Sequence, residues 1–492
     1  MPLVPLQLKP GMLRNGTEYE QSNRWRDGSL VRWSEGSLRP VGGWSQFTTS
    51  PVNATPRGMH GWRANDDSNN IAVGTYNKLY YISSSGNLTD ITPVGLTAGR
   101  ESAAQNTGYG GGYYDVGTYS TPRQPTSTYL PATTWALDNW GEYLVACSTD
   151  DGKIYEWQLD TGIPAAQIAN SPSNCQSIVV TEERFIFALG ADNNPRLVKW
   201  CDREDNTTWT PLATNEAGDI ELQTNGSIQA AIRVRGRTLI VTDTDAHLAV
   251  YQGAPYVYGF ERVGSACGTE APKSLVAVDQ FAFWMGQKGF FIFDGSVSRE
   301  LQCDVSDYVF RDINTNQISK VYGVHNSRFS EVWWFYPSEG STENNRYVMY
   351  DYKDQIWTFG NLSRTSAIDT GILRYPVWTT ADGYLYFHEY GFNHGGDTVF
   401  VESGPVSLGS GDQIMKVNEL IPDELTQGQV TATFKTRFYP NDTERSYGPY
   451  TMDNPTSVRF QGRQVRMRLE STSNTDWRAG IMRIEASAGG RR

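Results

Sequence analysis

Short apolar runs alternate with Gly/Asp/Asn-rich turns along most of this chain, and the second run of each pair carries aromatics. The clearest copies are WALDNWGEYLVACSTDDGKIYEW (135–157), SIVVTEERFIFALGADNNPRLVKW (177–200), AAIRVRGRTLIVTDTDAHLAVYQG (230–253) and SLVAVDQFAFWMGQKGFFIFDG (274–295). Residues 58–82, 322–352 and 373–391 read as looser copies. A period-2 run bounded by turn residues marks a half-buried strand. Corresponding strands return about every 40–55 residues, the spacing of one antiparallel propeller blade per repeat. Such a unit cannot bury both faces alone, so the units must pack around a common axis. The pattern predicts an all-β fold with a six- or seven-bladed β-propeller over residues 58–400.

The flanks read differently. Residues 1–57 form an N-terminal β segment, in which WRDGSLVRWSEGSLRPVGGW (25–44) sets Asp-Gly and Glu-Gly turns between alternating apolar positions. Residues 401–492 hold longer period-2 strands, such as QVTATFKTRFY (429–439) and QVRMRLES (464–471), and end in a basic tail. They predict a small β-sandwich-like module. The Gly/Tyr/Thr/Pro stretch 99–134 interrupts the repeat with no hydrophobic period. A loop that long inside a compact domain is functional or disordered, which makes it a candidate gate or clasp. One helix is expected, over 304–320, with Asp304 as its cap and Val305, Tyr308, Val309 and Ile313 on one face.

Composition narrows the class. At 492 residues the chain exceeds a single core, and 48 glycines, 12% aromatic and 20% charged residues suit a turn-rich β protein. No run is apolar enough to predict a membrane span, and the opening MPLVPLQLKPGM lacks the basic and apolar regions of a secretory signal. Five widely spaced cysteines without a Cys-x-x-Cys are expected to be buried free thiols made in a reducing cytosol. The net charge of −12 is unevenly spread: +4 over residues 1–63, +5 over 456–492, and −21 between them.

Catalytic motifs are not evident. There is no Gly-x-Ser-x-Gly, His-Glu-x-x-His or Gly-x-x-x-x-Gly-Lys. GYGGGYYDVG (108–117) opens no helix, so it offers no phosphate site. His388, Glu389, His394 and Asp397 fit no common zinc or calcium spacing, and a polar surface turn is the simpler reading. Ser148, Asp150 and Gly152 approximate the Asp-box turn of sialidase-like propellers, but a single copy reads as a hairpin turn. The second-strand aromatics, Tyr81, Trp157 and Phe290 among them, are expected to pack blade against blade. No catalytic, metal or cofactor residues are assigned, and no enzyme is expected.

Two stretches and the close of the chain resemble a known group. LKPGMLRNGTEYEQSNRWRDGSLVRWSEGSLRPVGGW (8–44) resembles the start of tail proteins of short-tailed bacteriophages, the tail nozzle (tail tubular B) and packaged-DNA stabilisation proteins. The Trp-x-Leu-Asp-x-Trp-Gly run at 135–141 looks like their first full blade, and 457–492 is similar to their C-terminal strands. The resemblance implies a structural virion protein, synthesised in a bacterial host cytoplasm. It would form a hexameric ring below portal and adaptor, extending and closing the double-stranded DNA channel until ejection. An acidic middle suits a conduit that must not hold a polyanion. The basic ends are expected to meet an acidic adaptor face or a neighbouring subunit, with Arg459, Arg463, Arg466, Arg468, Arg491 and Arg492 as the candidate assembly interface. Deleting 456–492 is then expected to spare the propeller and abolish ring assembly. The competing reading is a receptor-binding or glycan-degrading propeller of a virion.

Overall fold

Among the described residues seven four-stranded antiparallel sheets form the blades of a ring; six are up-and-down meanders of consecutive strands, and the seventh takes its outer strand from the N-terminal segment. The computed structural model describes residues 3–105, 129–408, 413–439 and 442–490. The innermost strands of the first six blades are Gly58–Arg63, Trp135–Trp140, Ser177–Val180, Ile228–Val234, Val276–Val278 and Tyr322–Asn326. That of the seventh is Ala367–Ile368, and each lies beside the next, the seventh beside the first. The fold is an all-β propeller of seven blades, and every repeat legible in the sequence is one of them.

Aromatics of the second strand of a pair fill the wedges between blades. Tyr81 of blade 1 meets Trp157 of blade 2 at 4.8 Å between ring centroids. Phe187 of blade 3 meets Tyr258 of blade 4 edge-on at 4.7 Å, and Phe290 of blade 5 meets Trp334 of blade 6 at 4.9 Å. Such pairs add about 0.5–1.5 kcal/mol each beyond area burial. Four of the five cysteines lie buried in these wedges or beside them, and all five are free thiols.

The N-terminal segment does not stand apart as residues 1–57, contrary to the expected boundary. Leu3–Leu6 pairs with Met482–Gly490 in a sheet with Ile414–Ile421 and Thr456–Gly462. Lys9–Met12 and Arg24–Ser29 join a second sheet with Phe400–Ser403, Gln464–Ser471, Val430–Arg437 and Arg445–Thr451. The expected C-terminal sandwich is therefore built from both ends of the chain. Trp44–Gln46 supplies the outer strand of blade 7, pairing with Leu385–His388, so the N-terminal segment closes the ring. A single apolar core runs from blades 5–7 through Leu30, Val31 and Trp33 into Phe434, Leu469 and Trp477 of the sandwich.

Two local expectations need correction. The Glu35-Gly36 turn is present: both residues have positive φ (54° and 77°), as the tight hairpin between Val31–Ser34 and Ser37–Pro40 requires. Asp27-Gly28 is no turn but the interior of a bulged strand. A Cβ at Gly28 would lie 2.5 Å from the Met12 methyl and 2.9 Å from the Phe400 carbonyl, so glycine serves close packing there. The helix over 304–320 splits into Ser306–Asp312 and a 3-10 segment Thr315–Lys320. Val305, Val309 and Ile313 are buried as expected. Asp304 caps nothing; its carboxylate is held 2.8 Å from the Arg24 guanidinium, which fastens the N-terminal segment to the blade 5–6 connection.

Candidate functional site

The sandwich carries the arginines singled out from sequence, and its pleat sorts them. Thr456–Gly462 alternates buried and exposed positions, and Arg459 points to solvent. Arg463 lies between that strand and the next, half-buried, with its guanidinium 5.0 Å from the Tyr439 ring centroid. Arg466 and Arg468 lie on Gln464–Ser471 and turn toward Glu402 on the neighbouring Phe400–Ser403. Arg466 pairs with Glu402 and, at 2.7 Å, with Glu444; Lys435 adds a third cation to Glu402 at 2.7 Å. Arg468 stacks 3.6 Å over Phe400 and pairs with Glu470 at 3.0 Å. Arg466 and Arg468 thus bind their own sheet, and Arg459 is left facing outward. Arg491 and Arg492 lie outside the described residues.

The same face joins the two ends of the chain. Glu18 receives Arg26 at 2.5 Å and Arg437 at 2.5 Å. Burial would raise its pKa, but the hydrogen bonds from Arg437 and Arg26 hold it down at about 2.

The flanks of the 99–134 stretch are tied down. Ala104–Gln105 pairs with Tyr129–Leu130, while 106–128, the middle of the stretch 99–134 expected as a gate, lie outside the described residues. Ala103 N–H donates to Gln317 Oε1 (3.0 Å), Ala132 N–H to Ser319 Oγ (3.1 Å) and Tyr129 Oη to Asn316 O (2.9 Å). These partners belong to the blade 5–6 connection, whereas the stretch itself joins blades 1 and 2. The two junctions lie nearly opposite on a seven-bladed ring, so the flanks form a strap across one mouth. A buried ion cluster holds it: Arg57 grips Glu343 through two nitrogens (2.8 and 2.6 Å), and Lys320 Nζ reaches Glu343 (2.7 Å) and Ser102 Oγ (3.0 Å). Asp150 of the Asp-box-like turn pairs with Arg100 and accepts from Thr133, so it anchors the strap too.

His388, Glu389 and His394 are buried and structural rather than part of a polar surface turn, and only Asp397 is exposed. His388 stacks on Trp378 at 4.0 Å and accepts from Arg364 Nε at 2.8 Å; burial and then Arg364 push its pKa well down. Glu389 binds Arg32, and His394 Nε2 donates to the Val41 carbonyl at 2.8 Å. Among the described residues no group of three or more His, Cys, Asp or Glu could hold a metal, and no helix is long and apolar enough to cross a membrane.

Sequence reasoning missed the partners of Arg32, the Arg57–Glu343–Lys320 cluster and Lys273, which lines a cavity on the ring axis. Their residues lie far apart in the chain, so no local spacing announces them.

No protein-family model matches the chain, and no curated protein matches it. Solved structures do. A streptogramin B lyase is similar at TM-score 0.42 and 11% identity, over 70% of this chain and 96% of that one. Virginiamycin B lyase from Staphylococcus aureus is similar at TM-score 0.42 and 8% identity, over 70% of this chain and 97% of that one. The WD40 β-propeller domain of Doa1 is similar at TM-score 0.39 and 10% identity, over 70% and 97%.

Proposed function

We propose that this chain is a structural subunit of a bacteriophage tail. Six copies form a nozzle ring below portal and adaptor that extends the DNA channel and keeps it closed until ejection. One observation carries the reading: the two end segments that resemble phage tail proteins, 8–44 and 457–492, are interleaved strands of one sandwich. That sandwich is a platform with its own sheet edges, and the propeller is fastened to it through blade 7. The role is mechanical and requires no bond to be made or broken.

Charge supports the same role. The residues between the basic ends carry −21, so propellers ringing the channel would set a negative field around a duplex that presents about one negative charge per 1.7 Å, which disfavours its retention. Arg459 is placed to meet an acidic partner, where a rim charge speeds and orients docking more than it adds affinity.

Co-sedimentation of the purified chain with the portal–adaptor complex of its particle tests the proposal. Six chains per complex are expected, with no cleavage of capsule or glycan arrays. Failure to bind, or glycan trimming at enzyme-like rates, would overturn it in favour of the glycan-degrading reading.

A further inference from the structure

Of the five histidines in the chain, His247, His388 and His394 are buried, and His60 Nε2 faces Asn139 Oδ1 at 3.1 Å. His325 is different. It stands between a carboxylate and a phenol, and its side chain, like that of Asp369, is 20% exposed. Nδ1 lies 3.1 Å from Asp369 Oδ2, and Nε2 lies 3.2 Å from Tyr352 Oη. An ionised carboxylate can only accept, so Nδ1 carries the proton and the Nε2 lone pair faces the tyrosine hydroxyl.

Strand ends bring the three groups together. His325 lies near the end of Tyr322–Asn326, the inner strand of blade 6, and Tyr352 directly follows the third strand of that blade, Arg346–Asp351. Asp369 directly follows Ala367–Ile368, the inner strand of blade 7. First and third strands of an antiparallel meander run the same way, so all three residues share the mouth opposite the strap. Each is held in place. Asp369 accepts the N–H groups of Ser327 (3.1 Å) and Thr370 (2.7 Å). Tyr352 N–H donates to the Ser330 carbonyl at 3.0 Å, and its ring stacks on Phe283 at 6.1 Å between centroids. Burial would raise the pKa of Asp369, but its hydrogen bond with His325 holds it below the usual carboxylate range, so it is ionised at neutral pH.

A hydroxyl within hydrogen-bond reach of a base, with the base oriented by a third group, is the arrangement that activates a nucleophile. We propose that Tyr352 is an acyl-accepting nucleophile toward activated carboxylic esters, with His325 as its base and Asp369 as the positioning residue. The phenolic oxygen attacks the ester carbonyl carbon, and its proton passes to His325 Nε2. The ester C–O bond then breaks, the leaving oxygen takes that proton from His325, and the acyl group stays on Tyr352. No oxidant or second chain enters the balance, so the site is independent of any assembly role.

Full-length protein mixed with p-nitrophenyl acetate at pH 7, followed by stopped-flow absorbance and peptide mass spectrometry, tests this. Wild type is expected to release a burst of one p-nitrophenol per chain and to carry the acetyl group on Tyr352, ahead of the exposed Tyr19, Tyr256, Tyr390 and Tyr439. Tyr352→Phe keeps the ring against Phe283 and is expected to lose the burst with its Tm unchanged. His325→Gln is expected to slow acetylation about a hundredfold. Asp369→Asn can donate to Nδ1 and so move the imidazole proton to Nε2; it is expected to slow acetylation about tenfold or more at unchanged Tm. The wild-type rate is expected to fall in D2O and that of His325→Gln to stay the same, which a merely structural relay would not produce. No burst with wild type, a burst that survives Tyr352→Phe, acetylation that follows exposure rather than position 352, or equal rates in wild type and His325→Gln would overturn the assignment.

Discussion

Arg32 shows how single charges hold the N-terminal segment to the ring. Its guanidinium, with the side chain 1% exposed, reaches Glu331 of blade 6 at 2.8 Å and Glu389 after blade 7 at 2.5 Å, and stacks 3.7 Å over Phe329. Two carboxylates share one cation, and burial, opposed by Arg32, raises the pKa of Glu331 to about 7. A group whose pKa is higher folded than unfolded contributes stability that is complete below its unfolded value. That contribution is lost as pH rises through about 7. Glu18 behaves oppositely: held at about 2, it stabilises above its unfolded pKa and ceases to as pH falls toward 2. Gln at 331 mimics the protonated acid, so the cost of Glu331→Gln in urea unfolding is expected to shrink from pH 5 to pH 8. A constant cost would contradict the raised pKa. Arg32→Met strands two buried carboxylates and is expected to cost about 3–5 kcal/mol. The sandwich arginines make a sharper contrast. Arg466→Ala leaves Glu402, 4% exposed, with weaker partners and is expected to cost about 2 kcal/mol, whereas Arg459→Glu should change stability by no more than about 0.5 kcal/mol and slow docking to an acidic partner. Equal thermal shifts in the two variants would refute the division between inward and outward arginines.

Among the elements, the three-residue strand Trp44–Gln46 matters out of proportion to its length. Its pairing with Leu385–His388 is what joins the start of the chain to the last blade, and Trp44 packs edge-on to His394 at 5.4 Å. Removing residues 1–46 is expected to expose Leu385–His388 as a free edge and to raise hydrogen exchange across blade 7 well above that of blades 2–4. Uniform protection after truncation would show that the ring closes without it. Blades 1 to 6 were legible because each completes its sheet within a contiguous stretch of at most about 45 residues, where alternation and turn residues leave a local trace. The closing strand leaves none: three residues have no period, and their partner lies some 340 positions away. The arginines illustrate the same limit, since alternation along Gln464–Ser471 announces two faces without saying that Glu402 covers one of them. Asp304 looked like a helix cap because nothing near it in sequence revealed Arg24.

On the scale of the molecule, sandwich and propeller are one mechanical unit. Phe400–Ser403 follows blade 7 directly, and strands from both ends interleave around it. Deleting 456–492 would remove Gln464–Ser471, the strand that joins Phe400–Ser403 to Val430–Arg437, so that truncation would dismantle the sandwich before it tested any arginine. The resemblance of the termini to phage tail proteins, the acidic charge between them and a mouth strapped by residues 99–105 and 129–134 together motivate the conduit role. The measurement that tests it most directly is cryo-electron microscopy of the full-length chain bound to the portal–adaptor complex of its particle. The account predicts a six-fold ring with the sandwiches inward against the adaptor and the propellers around the periphery. Isolated monomers on the grid, or a ring whose lumen is lined by propellers alone, would contradict it.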